Sequence, residues 1–229
     1  MRQYPMFVSL ENRSCLVVGA GQVGLRKIET LADCGAMDIL VLDKAPPAEA
    51  LGDLLTRPGL RDRLNFVQRE FEDTDLDGMF LVIAATGSAD VNRRIAELCR
   101  LRGVLCNVVD QPEAGSFIVP SSVRRGDLTL AVSTGGQSPA LAKRIRRDLQ
   151  EAYGPEYGRF LEIMARLRPL VLGLGQETGA NTGIFRSLVD SRLLAALKHD
   201  DAALARAELA AHIPPQLHDS ITEILHGLV

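Results

Sequence analysis

Three glycines and an aspartate carry the first recognisable chemistry in this chain. Gly19-Ala20-Gly21-Gln22-Val23-Gly24 follows directly on the apolar run Cys15-Leu16-Val17-Val18 and opens a segment of helical period. In that context Gly19 permits a tight turn, Gly21 lets a pyrophosphate approach the backbone, and Gly24 lets the helix pack close to the strand. Unpaired amides at a helix start, here around Gln22 and Val23, favour a bound anion. Nineteen residues beyond Gly24 a second apolar run ends at Asp43, with Lys44 beside it. A carboxylate there accepts hydrogen bonds from both ribose hydroxyls of NAD and repels the 2′-phosphate of NADP. Gly19, Gly21, Gln22, Val23, Gly24, Asp43 and Lys44 are therefore the expected NAD contacts. A binding-only regulatory domain would show the same fingerprint, so it identifies a ligand and leaves the reaction open.

Two more positions fall at strand ends. Ala84-Ala85-Thr86-Gly87 follows the fourth apolar run, on the edge where open α/β sheets bind ligands, which places Thr86 beside the nicotinamide half of the site. The alternative is a helix-capping threonine. Asn107-Val108-Val109-Asp110 ends the fifth run and brings Asp110 to the same edge. A carboxylate near a nicotinamide can accept a proton while hydride leaves the substrate. The alternative is a turn aspartate before Gln111-Pro112 that bonds its own backbone.

The elements that must position these residues alternate between β-branched runs and helical segments, the pattern of βαβ units around a parallel sheet. Strands are expected at Cys15–Val18, Ile39–Leu42, Asn65–Gln68, Phe80–Ala84 and Leu105–Val108. Helices are expected at Gln22–Cys34 and Ala89–Arg102. The fold class is α/β, with a Rossmann-like, doubly wound NAD-binding domain over residues 1–113. Phe117–Val119 and Leu128–Val132 then read as two strands around the turn-forming Arg124-Arg125-Gly126-Asp127. Ser138 as N-cap and Pro139 at the first helical position start a helix that runs to about Tyr153. A β pair of that size is marginal alone, so residues 114–153 are expected to dimerise, a second copy supplying the missing cover. Residues 154–229 read as a small helical domain.

The chain of 229 residues carries a formal charge of −3, which excludes a global positive field for nucleic acid or an anionic membrane. Four cysteines, Cys15, Cys34, Cys99 and Cys106, stand singly with no CxxC pair, and no apolar run has signal-peptide or membrane-span length. A reducing cytoplasm is the expected compartment. The four histidines, His199, His212, His218 and His226, form no metal-binding spacing, so no metal site is expected.

With these residues in place the chain resembles the siroheme synthase N-terminal module family. The resemblance rests on Tyr4-Pro5-Met6-Phe7, the run Cys15–Gly24 with Arg26-Lys27, the turn at Thr86, and Cys106–Asp110. It continues through Ser116-Phe117-Ile118-Val119-Pro120 and Ala131–Pro139, all in family order over about residues 4–150. It implies a precorrin-2 dehydrogenase, in some members also a sirohydrochlorin ferrochelatase, with Asp110 as the catalytic residue, a homodimer, and a separate helical domain. It also implies that Ser133, Thr134 and Gly135 meet the substrate, although the family often has Ser-Ser-Gly-Gly where this chain has Ser133-Thr134-Gly135-Gly136. A tetrapyrrole with many carboxylates gives a second reason to look at Lys143, Arg144, Arg146 and Arg147, because arginine forks suit carboxylates. Lys143, Arg144 and Arg147 are the expected substrate contacts, against the alternative of a solvated helix face. A non-enzymatic NAD sensor, the remaining class, would need neither Asp110 nor the two downstream segments.

Overall fold

Strands read as mainly apolar runs when a sheet is covered on both faces, and five strands form one parallel sheet here, with Ser14–Val18 and Leu81–Ala84 wholly apolar over their buried residues. The structure is a computed structural model that describes residues 3–229, and it separates into two units, Gln3–Val119 and Pro120–Val229. In the first unit, β1 (Ser14–Val18), β2 (Asp38–Asp43), β3 (Leu64–Gln68), β4 (Leu81–Ala84) and β5 (Leu105–Val108) lie in the order β3-β2-β1-β4-β5. Val17 stands beside Val41 on one side and Ile83 on the other, so β1 and its neighbours end at one edge. The order reverses between β1 and β4, which makes the crevice above them the switch point where such sheets take ligands.

The pleat divides the core. Cys15 and Val17 pack with Ile39, Val41 and Ile83 under α1 (Gln22–Asp33) and α2 (Glu49–Thr56), through Ile28, Leu31, Leu51 and Leu54. Leu16, Val18 and Val82 face the opposite way, against Ile95, Ala96 and Cys99 of α3 (Ala89–Arg102). The helices thus cover both faces, as the expected doubly wound class requires. The Ser88 hydroxyl caps α3 by accepting from the Val91 amide, and Gly103 ends it in the left-handed conformation at φ 69°. Helix α2 and a 3-10 turn over Asp73–Leu76 were not anticipated. The turn is held by Asp75, which accepts from the Glu72 amide at 2.8 Å and from Arg69 at 2.5 and 2.8 Å.

One expected strand falls elsewhere. Phe117–Val119 joins no ladder among the described residues, and the hairpin is instead β6 (Ser121–Arg125) against β7 (Leu128–Val132), with Val123 opposite Leu130. The physical reason is the turn. Gly126, at φ 56°, closes a two-residue loop with Asp127, so the strand must consist of the residues just before it, including Arg124 and Arg125. Phe117 is held differently, within the first unit. The Ser116 amide donates to the Cys106 carbonyl at 2.8 Å, and Asn107 Nδ2 donates to the Phe117 carbonyl at 3.1 Å.

The second unit continues with α4 (Pro139–Ala152), where Ser138 Oγ accepts from the Leu141 amide at 3.2 Å as the N-cap. Helices α5 (Glu156–Gly173), α6 (Thr178–Val189), α7 (Leu193–Lys198), α8 (Ala202–His212) and α9 (Ile221–Leu225) share a core of Ile163, Leu167, Val171, Leu188 and Leu209. The hairpin turn sits on α5 because Gly158 has no side chain; a Cβ there would come within 3.0 Å of Arg125 backbone. Among the described residues no helix is long and apolar enough to cross a membrane.

Candidate active site

The glycine turn is explained by what surrounds it. Gly19 has φ 99°, and a Cβ on it would lie 2.4 Å from the Ala85 carbonyl oxygen and 2.7 Å from the Thr86 nitrogen. Only glycine meets both demands. A Cβ on Gly24 would lie 1.9 Å from the Gly19 carbonyl oxygen, so this residue sets how closely α1 approaches the turn. At Gly21, the N-cap of α1, nothing lies within 4 Å of the added carbon. That helix start has no side-chain cap and no acidic residue in its first turn. An open cradle at Gly21 over unpaired amides fits the pyrophosphate of a dinucleotide.

Asp43 is aimed back at the same turn. Its Oδ2 accepts from the Ala20 amide at 2.6 Å and its Oδ1 from the Ala45 amide at 2.9 Å. Each oxygen keeps a further lone pair for a ribose hydroxyl. Lys44 points to Glu70, 2.9 Å away at the exposed surface, and through that hydrogen bond holds the Glu70 carboxyl below its usual range.

Thr86 borders Gly19 through its backbone, and its side chain is engaged locally. Its hydroxyl lies 2.7 Å from Asn92 Oδ1 and accepts from the Ser88 amide at 3.2 Å, while Asn92 Nδ2 donates to the Thr86 carbonyl at 3.0 Å. Asn92 is buried, and the sequence reading did not name it. Its signal was a polar residue one position after Val91, on the inward side of α3. The cap of α3 is Ser88, so capping is not what Thr86 does.

Asp110 follows β5 with φ 63°, a left-handed conformation that aspartate tolerates better than most residues. Its carboxylate makes no hydrogen bond to its own turn among the described residues. It lines a cleft of about 200 Å³ with Val23, Lys27, Asn107, Pro112 and Val119. Burial, and after it the neighbouring Arg26, hold the Lys27 ammonium below the usual lysine range. Gly19, Gly21, Gly24, Asp43, Thr86 and Asp110 thus share one edge of the first unit. That edge offers a helix start open to an anion, a carboxylate fixed by two backbone amides and a second carboxylate open to solvent.

The remaining expected contacts lie in the second unit. Ser133 Oγ accepts from the Gly135 amide at 3.1 Å and Thr134 Oγ1 from the Ser138 amide at 3.2 Å, with Gly135 and Gly136 at φ 60° and 81°. Arg144 pairs with Asp148 at 3.0 Å and Arg146 with Gln150 at 2.8 Å on α4. Lys143 and Arg147 are exposed.

The chain matches the model of a putative NAD(P)-binding family over residues 6–121 and that of the sirohaem biosynthesis protein central region over 125–152. It is 41% identical to a siroheme synthase of Thioalkalivibrio sulfidiphilus over 72% of this chain and 32% of that protein. It is 33% identical to a siroheme synthase of Methylobacillus flagellatus over 100% of this chain and 47% of that protein. The chain therefore spans less than half the length of these relatives. A solved structure described as SirC, precorrin-2 dehydrogenase, superposes with a TM-score of 0.74 at 24% identity, covering 91% of this chain and 98% of its own, and shares the fold. With a nicotinamide-cofactor domain over its first half and the sirohaem central segment directly after it, the chain belongs to the putative NAD(P)-binding family, as a siroheme synthase N-terminal module.

Proposed function

We propose that this chain oxidises precorrin-2 to sirohydrochlorin with NAD as acceptor. The observation that carries the reading is the Asp110 carboxylate, unengaged by its own turn and standing on the sheet edge that holds the glycine cradle and Asp43. The likeness to siroheme synthases and to a protein described as a precorrin-2 dehydrogenase supports this choice of substrate. The Gly19–Gly24 turn and Asp43 would hold NAD, which when bound would supply the acceptor for a hydride from a substrate carbon. Asp110 accepts the proton released from a ring N–H, so two electrons and two hydrogens leave the substrate and NADH and a proton are the other products. Asp43 selects NAD over NADP. Gln22 and Val23 offer amides to the pyrophosphate. Ser133, Thr134 and Gly135, with Lys143, Arg144 and Arg147, receive the substrate's polar periphery. Purified protein given precorrin-2 and NAD should release sirohydrochlorin and NADH in equal amounts; no sirohydrochlorin with either nicotinamide would overturn the reading.

The same proposal includes a homodimer built on residues 114–153. In the two-stranded sheet Leu128, Leu130 and Val132 remain partly exposed, and such a small sheet is marginal without further cover. Sedimentation at micromolar concentration should give twice the chain mass; a monomer would remove this part.

A further inference from the structure

Val23 and Lys27 stand one helical turn apart on α1, and both line the cleft that ends at Asp110. A lysine usually keeps its ammonium in water and lays only its stem along apolar surface. Here the cleft is lined mainly by Val108, Val109, Pro112 and Ile118, with Asn107 and the exposed Asp110 at its polar side, and burial pushes the amine down from its usual range. Arg69, Arg144 and Arg159 each have a carboxylate within ion-pair distance, whereas Lys27 has none among the described residues. A half-buried cation with no carboxylate at ion-pair distance is costly unless something anionic completes it.

We infer that Lys27 is a substrate-positioning residue whose ammonium receives one peripheral carboxylate of the tetrapyrrole in this cleft. The inference rests on the function proposed above. Size favours a side arm over the ring itself: about 200 Å³ admits an acetate or propionate arm, while drug-sized ligands occupy roughly 300–1,000 Å³. A lysine is a point charge, suited to one carboxylate without the planar demands of an arginine fork. Asp110 repels an arm that enters, and Lys27 holds it, so together they orient the macrocycle rather than merely attract it.

The test uses the full chain, with Lys27→Met, which keeps length and apolar packing, and Lys27→Arg, which keeps charge. Thermal melts confirm that both fold, and Lys27→Gln stands in should the Met variant fail. Steady-state kinetics are measured with precorrin-2 and NAD, and sirohydrochlorin binding by fluorescence. Lys27→Met should raise the KM for precorrin-2 and the Kd for sirohydrochlorin roughly 10-fold, with kcat and the KM for NAD unchanged and most of the loss restored by Lys27→Arg. Unchanged tetrapyrrole constants in an active enzyme, or a rise confined to the KM for NAD, would overturn the inference and leave the dehydrogenase reading intact. Lys27-dependent binding of sirohydrochlorin without turnover by the unmodified protein would do the reverse. If the unmodified protein neither binds nor oxidises a tetrapyrrole, both fall.

Discussion

The Ala20 amide donates to the Asp43 carboxylate across 2.6 Å, so the turn after β1 and the end of β2 are tied by one side chain. Asp43 therefore braces the glycine turn, and in the function proposed above the same carboxylate is the acceptor that favours NAD. Asp43→Ala should narrow the preference for NAD over NADP. It should also cost about 1–3 kcal/mol of stability, because the hydrogen bonds to the Ala20 and Ala45 amides are charge-assisted. Kinetics with both cofactors and a denaturant titration check this; equal or better use of NADP by the unmodified protein would contradict the first half.

Gly21 and Gly24 should separate binding from folding. A methyl group at Gly21 enters open space, so Gly21→Ala should melt close to the parent yet, if the proposed cradle holds the pyrophosphate, bind NAD far more weakly. At Gly24 the same group meets the Gly19 carbonyl oxygen at 1.9 Å, so Gly24→Ala should lower the melting temperature as well as lose the cofactor. Calorimetric titration with NAD alongside thermal melts distinguishes the two.

Asp110→Asn should lower turnover of precorrin-2 by ~10²–10⁴-fold, the usual worth of a general base, with little change in NAD affinity. Asparagine suits the test because it also accepts the left-handed φ of 63° found here, so the backbone is kept while the base is removed. Near-normal turnover would return Asp110 to the role of a turn residue.

The Arg69–Asp75 pair predicts a pH dependence of stability. Hydrogen bonds from the Arg69 guanidinium, helped by the Glu72 amide and opposed by burial, hold the Asp75 carboxyl below its usual range. A carboxyl depressed in the folded state stabilises fully above its unfolded value of about 3.9 and loses that contribution as pH falls through the folded value. Asp75→Asn should cost roughly 1–2 kcal/mol at neutral pH, with the partly solvated Arg69 limiting the figure, and should flatten the acid limb below about pH 4. Melts from pH 7 to 3 on both proteins measure it.

The sheet and the glycine turn at its edge were readable because central parallel strands appear as mainly apolar runs, and because Gly19, Gly24 and Asp43 answer local steric and charge demands. What escaped depends on distant partners. Helix α2 has only eight residues, too few for a clear period. Phe117-Ile118-Val119 has strand composition, but its neighbour is the outer edge of β5 rather than Leu128–Val132, which composition does not encode. The hydroxyl of Thr86 is engaged by Asn92, a pairing visible only once α3 is folded against β4. Lys27 could have been marked from its i,i+4 relation to Val23, since residues so spaced share a helix face.

The segment pinned along β5 also bears on solubility. β5 is the last strand of the sheet, and an open edge of unpaired amides and carbonyls invites another chain to add itself. Ser116 occupies that edge at Cys106, its amide donating to the carbonyl and its hydroxyl accepting from the amide, both at 2.8 Å. Gly115 makes the approach possible, for a Cβ there would sit 2.8 Å from the Cys106 oxygen. The link that leads the chain out of its first unit therefore also works as a guard strip against edge-to-edge aggregation.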